Sequence, residues 1–304
     1  MAVDIVGLGL ATVDVLTRTP RLPGSNDVFE VDTVELQGGG PVATALAAAA
    51  KLGSRTAIAG STDTGPWGEM IVRELRELGV DTSQLQRREM GQASRSVILI
   101  EATGGERSIL YAKGSVAELS PEEVPRALVQ QARVLHLDGS HVDAALTAAA
   151  VARDAGTLVS LDGGDGEPWP GVNRLLPLVD VLVVARGFAR NVTGIDDPVR
   201  AARELSRHGA REVVITDGAR GAWYLTEEER GHVPAFPIAA IDTTGAGDSF
   251  HGAYLHGLLE GRPIEQRVRF ASAVAAQVCG RVGGRTGLPD LPTVEAFLEA
   301  TAGG

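Results

Sequence analysis

The sequence predicts an α/β fold: a doubly wound, mostly parallel sheet flanked by helices, with a small β-sheet lid. Two patterns lead there. Short apolar runs rich in β-branched residues alternate with helical patterns along most of the chain, which implies parallel strands joined by right-handed crossovers. Two early stretches break that rhythm by alternating apolar and polar side chains, as strands with one wet face do.

Val3 to Gly9 reads as a buried strand ending in glycine, and the alanine-dense Val42–Leu52 as a helix packed on a sheet. Between them, Val28–Leu36 (VFEVDTVEL) alternates as a half-exposed strand would. Further strands are expected at Arg55–Gly60, Val134–Asp138, Leu158–Asp162, Val179–Ala185 and Glu212–Thr216. Helices are expected at Trp67–Leu78, Pro121–Gln131, Val142–Asp154 and Val199–His208. Ser94–Glu101 and Arg107–Tyr111, joined through Thr103-Gly104-Gly105-Glu106, read as a β-hairpin. Residues 1–304 are expected to form one domain, with a lid built from about 12–37 and 91–114.

The balance of 28 Lys+Arg against 39 Asp+Glu, a formal charge of −11, argues against a general nucleic-acid binder. With 44% hydrophobic and 22% charged residues, the composition is that of a soluble globular protein. The lone Cys279 excludes an intrachain disulfide and a multi-cysteine zinc site, and fits a reducing cytoplasm. No apolar stretch approaches the roughly 18 residues of a membrane span, and MAVDIVGLGL lacks the basic start of a signal peptide. The expectation is a cytoplasmic protein with neither nucleic acid nor membrane as partner.

The most informative segment is Asp242-Thr243-Thr244-Gly245-Ala246-Gly247-Asp248-Ser249-Phe250, between a strand-like run (Val233–Ile241) and a small-residue helix, HGAYLHGLLEG. A glycine-rich turn entering a helix aims several backbone N–H groups at one spot, backed by the positive end of the helix dipole. That spot suits an anion whose charge grows during reaction, such as a transferring phosphoryl group. Asp248, at the helix start, is placed to accept the proton of an attacking hydroxyl. Read alone, the segment also fits a plain turn with an N-cap aspartate.

The full string DTTGAGDSF resembles the signature of the ribokinase-like (PfkB) carbohydrate kinase family, and no Walker-type motif competes with it. Gly38-Gly39-Gly40-Pro41-Val42-Ala43-Thr44 is similar to that family's N-terminal glycine motif, and Asp14 falls where the family binds sugar. Thr216-Asp217-Gly218-Ala219-Arg220-Gly221 is similar to its nucleotide-side turn. Arg281-Val282-Gly283-Gly284-Arg285-Thr286-Gly287-Leu288-Pro289 resembles the loop that holds a monovalent cation in many members. The resemblance implies ATP-dependent phosphorylation of a sugar hydroxyl, with Mg²⁺ on the nucleotide. Asp248 would be the base, and the amides of Gly245, Ala246 and Gly247 the anion hole. Asp14, Gly39, Gly40 and Thr44 would bind the sugar, aided by Asp138 at a strand's C-terminal end. Thr216, Gly218, Gly221, Gly247 and Ser272 would line the nucleotide. Asp242, with carbonyls around Thr244, Val278, Arg281 and Gly283, would cage a K⁺ ion. A homodimer assembled through the lid is expected.

Two departures stand out. Thr44 replaces the Asn usual in the glycine motif, offering a hydroxyl instead of a two-sided amide. The family's N-x-x-E motif, near the phosphates and Mg²⁺, should fall at Ala185 to Phe188, and both its polar residues are absent. The strings GGGPVAT, FARNVTG and GGRTGLP resemble a ketose-type branch that includes sulfofructose kinases. Arg95 and Arg107, on the lid hairpin, would then meet an anionic sugar, with Lys113 just after; solvated lid cations are the plainer reading.

The leading reading is a kinase acting on a ketose or pentose, anionic or neutral. The alternatives are a nucleoside kinase of the same fold and a non-catalytic sugar-binding regulator. His136 reads as a core residue, His251 and His256 as too isolated for a metal set, and Cys279 as a small buried apolar group.

Overall fold

The computed structural model describes residues 3–103 and 105–301. Its first half runs β1 (Ile5–Leu8), β2 (Thr12–Thr19), β3 (Glu35–Gly39), α1 (Pro41–Lys51), β4 (Thr56–Asp63), α2 (Pro66–Glu77), β5 (Val80–Arg88), β6 (Ser94–Glu101) and β7 (Arg107–Ala112). Then follow α3 (Arg126–Gln131), β8 (Val134–Leu137), α4 (Val142–Ala155), β9 (Leu158–Asp162), α5 (Val172–Leu175), β10 (Val181–Ala185), α6 (Arg186–Thr193) and α7 (Pro198–Ser206). The last part holds β11 (Glu212–Thr216), β12 (Ala222–Leu225), β13 (Arg230–Val233), α8 (Ala246–Leu259), α9 (Ile264–Val278) and α10 (Leu291–Ala300).

Nine strands form the main sheet in the order β13-β12-β11-β10-β9-β8-β1-β4-β5, parallel except for the antiparallel β11-β12-β13 end. Its central strands are buried apolar runs, so each face needs a helical cover. One core packs α1, α2, α8, α9 and α10 against the sheet; the other packs α3 to α7. From β1 the chain proceeds to β4 and β5 on one side, and through β8 to β11 on the other. The reversal between β1 and β8 opens a crevice at the strands' C-terminal ends, where such sheets bind ligands.

Over that crevice stands a four-stranded sheet, β3-β2-β6-β7, in which β2 pairs parallel with β6 and the outer pairs are antiparallel. Leu16, Ile98 and Ile100 form its own small core on the face toward the main domain.

Several elements differ from the sequence expectation. Val28–Leu36 is strand only from Glu35: β2 pairs with residues 35–39, and the alternation ahead of it finds no sheet to face, leaving Val28 93% and Val34 64% exposed. The run 233–241 leaves its strand after Val233, since Pro234 and Pro237 lack the N–H a ladder needs. β2, β5, α6 and the β12-β13 hairpin were not foreseen. Gly104 of the expected hairpin turn lies outside the described residues.

Candidate active site

The 242–248 loop enters α8 at the edge of the crevice. Gly245 adopts φ 72°, a conformation that favours glycine, and a Cβ there would collide with Gly284 of the C-terminal loop. Gly252, two turns on, lets α8 lie directly against the backbone of α1 at Ala45. Helix α8 is thus fixed to α1, the helix that follows Gly38–Gly40.

Among the expected anion-hole amides, those of Gly245 and Gly247 have no acceptor among the described residues, whereas the Ala246 N–H turns back to the Thr243 carbonyl at 3.3 Å. The third unspent donor is the Asp248 amide. First-turn N–H groups of a helix have no internal partner, so the free donors at this turn are the amides of residues 245, 247 and 248.

The Asp248 carboxylate is half-buried. Burial pushes its pKa up to about 7, and the charge of Asp162 adds to this, while His251 and Arg107 oppose it. Asp162, at the end of β9, accepts from His251 Nε2 at 3.2 Å and from the Gly164 N–H at 2.6 Å. Burial works against its ionisation, yet His251 and that N–H hold its pKa below the ordinary value. His136 sits behind, wholly buried, its pKa depressed to about 3 by burial and by His251. Sequence reasoning had set His251 aside as isolated and taken Asp162 only as a strand end. No local signal could have joined them.

On the lid side, Asp14 lies opposite Ser96 and Gln37 in register and accepts from the Thr12 hydroxyl at 2.9 Å. Burial raises its pKa. Arg107 lies opposite Ile100, on the same face as Ser96 and Asp14. It reaches the glycine loop, where its Nη1 donates to Thr243 Oγ1 at 2.7 Å. Arg95 is a correction. It sits on the other face of β6, beside Val97, and donates to Gln92 at 2.6 Å. A strand's side chains alternate between faces, and the register that puts Ser96 on Asp14 turns Arg95 away. Lys113 pairs with Glu118 at 3.1 Å.

Two other expected sugar contacts are already engaged. Asp138 accepts from the N–H groups of Leu10 (2.8 Å), Val42 (3.3 Å) and Ser140 (2.9 Å), fixing the crevice floor. The Thr44 hydroxyl accepts from Arg285 Nε at 3.1 Å, and Arg285 Nη2 donates to the Gly39 carbonyl at 2.7 Å. Gly40, just ahead of Pro41, opens α1 as its N-cap with φ 97°. Sequence reading missed Arg285 as a link between these segments.

On the nucleotide side, the Thr216 hydroxyl donates to the Val184 carbonyl at 3.4 Å, and Gly218 to Gly221 close a tight turn after β11. Ser272 is partly exposed on α9. Asp242 is fully buried, accepting from Thr244 (N at 2.8 Å, Oγ1 at 2.7 Å) and from the Gly283 N–H at 2.7 Å. It has no cationic side-chain partner among the described residues. The Val278 carbonyl accepts the Arg281 N–H at 3.2 Å, and the Arg281 side chain is exposed.

No group of three His, Cys, Asp or Glu among the described residues could hold a metal unaided. The exposed Asp165, whose carboxylate lies against Gly187 at the start of α6, makes no ion pair with the described residues. No described helix is long and apolar enough to cross a membrane.

Known proteins carry the same plan. The chain is 28% identical to a deoxyribokinase of Salmonella typhi, over 97% of this chain and 98% of that one. It is 30% identical to a 5-dehydro-2-deoxygluconokinase of Shouchella clausii, over 97% and 95%. The structure of an Arabidopsis thaliana ribokinase complexed with ribose and ATP superposes with a TM-score of 0.85, at 24% identity, covering 98% of this chain and 99% of that one. The sequence model described as pfkB family carbohydrate kinase matches residues 3–291. With this ribokinase-like fold and that match over nearly its whole length, the chain belongs to the pfkB family of carbohydrate kinases.

Proposed function

We propose that this kinase transfers the γ-phosphate of ATP to a hydroxyl of a neutral ketose or pentose, with Asp248 as base. The observation that carries the proposal is one constellation. A carboxylate with a pKa near 7 stands at a glycine turn with three unspent amides, faced across the crevice by Arg107 and Asp14.

The sugar lies between Asp14 and the Gly39–Gly40 segment, its reacting hydroxyl turned to Asp248. That oxygen attacks the γ-phosphorus as Asp248 takes its proton, and the bond to the β-phosphate oxygen breaks to release ADP. The amides of 245, 247 and 248 stabilise the charge growing on the phosphoryl oxygens. Arg107, drawn to the loop by Thr243, adds a guanidinium to the same group. Mg²⁺ would neutralise the polyphosphate when bound, with Asp165 reaching it directly or through water. A monovalent cation beside Asp242 would stiffen the loop; equal rates in tetramethylammonium, sodium and potassium buffers would reject it. The turn at Thr216–Gly221 and Ser272 would flank the nucleotide base.

The anionic-sugar reading loses two of its three cations: Arg95 faces away and Lys113 is paired. The nucleoside reading needs aromatic platforms near the lid: Arg21 covers Phe29, which leaves Tyr111, opposite Ser96 on the crevice face. A homodimer is proposed through the lid's outer face. There Leu36, Val15, Val97 and Leu110 stand in one row across four strands, with Leu36 48%, Val97 41% and Leu110 64% exposed.

A coupled ADP-release assay over fructose, ribose, deoxyribose, sulfofructose and adenosine, with ATP and Mg²⁺, tests the reading. Sugar-dependent ADP from a neutral sugar supports it. Preference for adenosine or sulfofructose replaces it with the corresponding alternative, and no turnover with any leaves the binding regulator.

A further inference from the structure

After β10 and β11 the structure gathers a cluster of charged side chains. Arg186 opens α6 directly after β10, and Asp217 follows β11, so both lie at the ligand-binding edge of the sheet. Arg186, Arg190 and Arg220 line one hollow of about 340 Å³ together with Gly187, Asp196 and Asp217. Arg186 pairs with Asp217 at 3.0 Å and Asp196 at 2.9 Å. Arg220 grips Asp217 through Nε and Nη2, both at 2.6 Å. Arg190 is exposed and makes no ion pair with the described residues.

Three guanidinium groups line this hollow against two lining carboxylates, with the Asp165 carboxylate beside Gly187 at its rim. The carboxylates orient the arginines without exhausting them. A guanidinium has five N–H donors, and the pairs of Arg186 use two of its own. Such forks match phosphate oxygens geometrically. The Thr216–Gly221 turn, assigned above to the nucleotide, supplies Asp217 and Arg220 to the same hollow.

We propose that Arg186, Arg190 and Arg220 form a binding site for the polyphosphate chain of the nucleotide, in which guanidinium groups meet the phosphate charge directly. The proposal rests on the kinase reading. It has a consequence that reading alone lacks: the protein should hold ATP better than adenosine even without a divalent ion.

The test is calorimetric binding of ATP, ADP, adenosine and pyrophosphate to the full chain in EDTA, for wild type, Arg186→Gln, Arg190→Gln and Asp196→Asn. Wild type should prefer ATP over adenosine by about tenfold or more, the scale of a charge-assisted hydrogen bond. Arg190→Gln, on an exposed and unpaired side chain, and Arg186→Gln should each remove most of that preference while leaving adenosine binding unchanged. Asp196→Asn frees a donor pair of Arg186 and should tighten ATP severalfold; its side chain is 71% exposed, so folding is not at stake. A wild type with no such preference, or arginine variants that keep it, overturns the proposal. Pyrophosphate binding undiminished by saturating ATP also overturns it, because the hollow would then be a separate anion site. If ATP turns over with a sugar while the preference is missing, only this inference falls; if ATP binds neither in EDTA nor with Mg²⁺, the kinase reading falls with it.

Discussion

Replacing Asp248, the proposed base, should make the enzyme slower and the protein more stable, and pH should separate the two effects. Burial pushes Asp248 up to about 7 from the ordinary 3.8. Above pH 7 the folded chain carries a carboxylate whose ionisation opposes folding. The gap of about three pH units corresponds to roughly 4 kcal/mol at ~1.36 kcal/mol per unit. The half-buried side chain keeps some contact with water, so about 2 kcal/mol is the realistic figure. The sign follows from proton counts. Between about pH 4 and 7 the folded state binds one more proton here than the unfolded state, so this group's contribution is full below pH 4 and lost as pH rises through 7. Asp248→Asn keeps the shape and never ionises. At ~2.1 cal/mol/K per residue, the unfolding entropy of 304 residues is roughly 0.6 kcal/mol/K. A gain of about 2 kcal/mol therefore raises Tm by about 3 °C at pH 8, and the gain should vanish at pH 4. In the same variant kcat should fall by about 10²–10⁴. Calorimetric scans of both proteins at pH 4, 6 and 8 decide the matter. A Tm difference that is zero or negative at pH 8, or independent of pH, refutes the account of Asp248.

The acid limb of kcat/KM should lie near pH 7, where Asp248 loses its proton. Asp162→Asn, which removes the repelling charge, should move it to lower pH, and a limb fixed in both proteins would exclude Asp248 as the titrating group. Arg107→Gln should lower kcat/KM by about 10- to 100-fold, whereas Arg95→Gln, on the opposite face of the lid, should leave it within twofold in steady-state assays. Gly245→Ala should destabilise the fold by about 1–3 kcal/mol through its positive φ and the collision with Gly284, measured by urea unfolding. Gly247 has open space where a Cβ would stand. Its Ala variant should unfold at the wild-type midpoint yet lose turnover, because the methyl enters the phosphate's place.

The parts of the site legible in the sequence are those whose chemistry is written in consecutive residues. DTTGAGDSF states its own geometry: glycines where the turn needs them, a helix to follow, and an aspartate in its first turn. Strands β1, β8, β9, β10 and β11 were likewise legible, because buried parallel strands are continuous apolar runs. The misses have a common physical form. Val28–Leu36 has the period of a strand, but a strand needs a partner, and β2 pairs with residues 35–39 instead. Alternation marks a side chain's parity; it does not say which neighbour occupies each face.

The two lid arginines show how much turns on that single bit of information. From sequence, Arg95 sat among Ser94, Ser96 and Val97, a setting that suggested the pocket, while Arg107 lay beside a turn. The pairing of Asp14 with Ser96 settles both at once. Every even-numbered position of β6 faces the crevice, so Arg95 must face outward, and Arg107, opposite Ile100, must face in. The same reasoning explains why Asp162 and His251 escaped notice. One ends a strand and the other rides a helix far along the chain; they meet at 3.2 Å where α8, with Gly252 against Ala45, lies on α1. The protonation of the base thus depends on packing several residues away from it. A bulkier residue at position 252 should therefore disturb the acid limb of the pH profile even though it touches no reacting group.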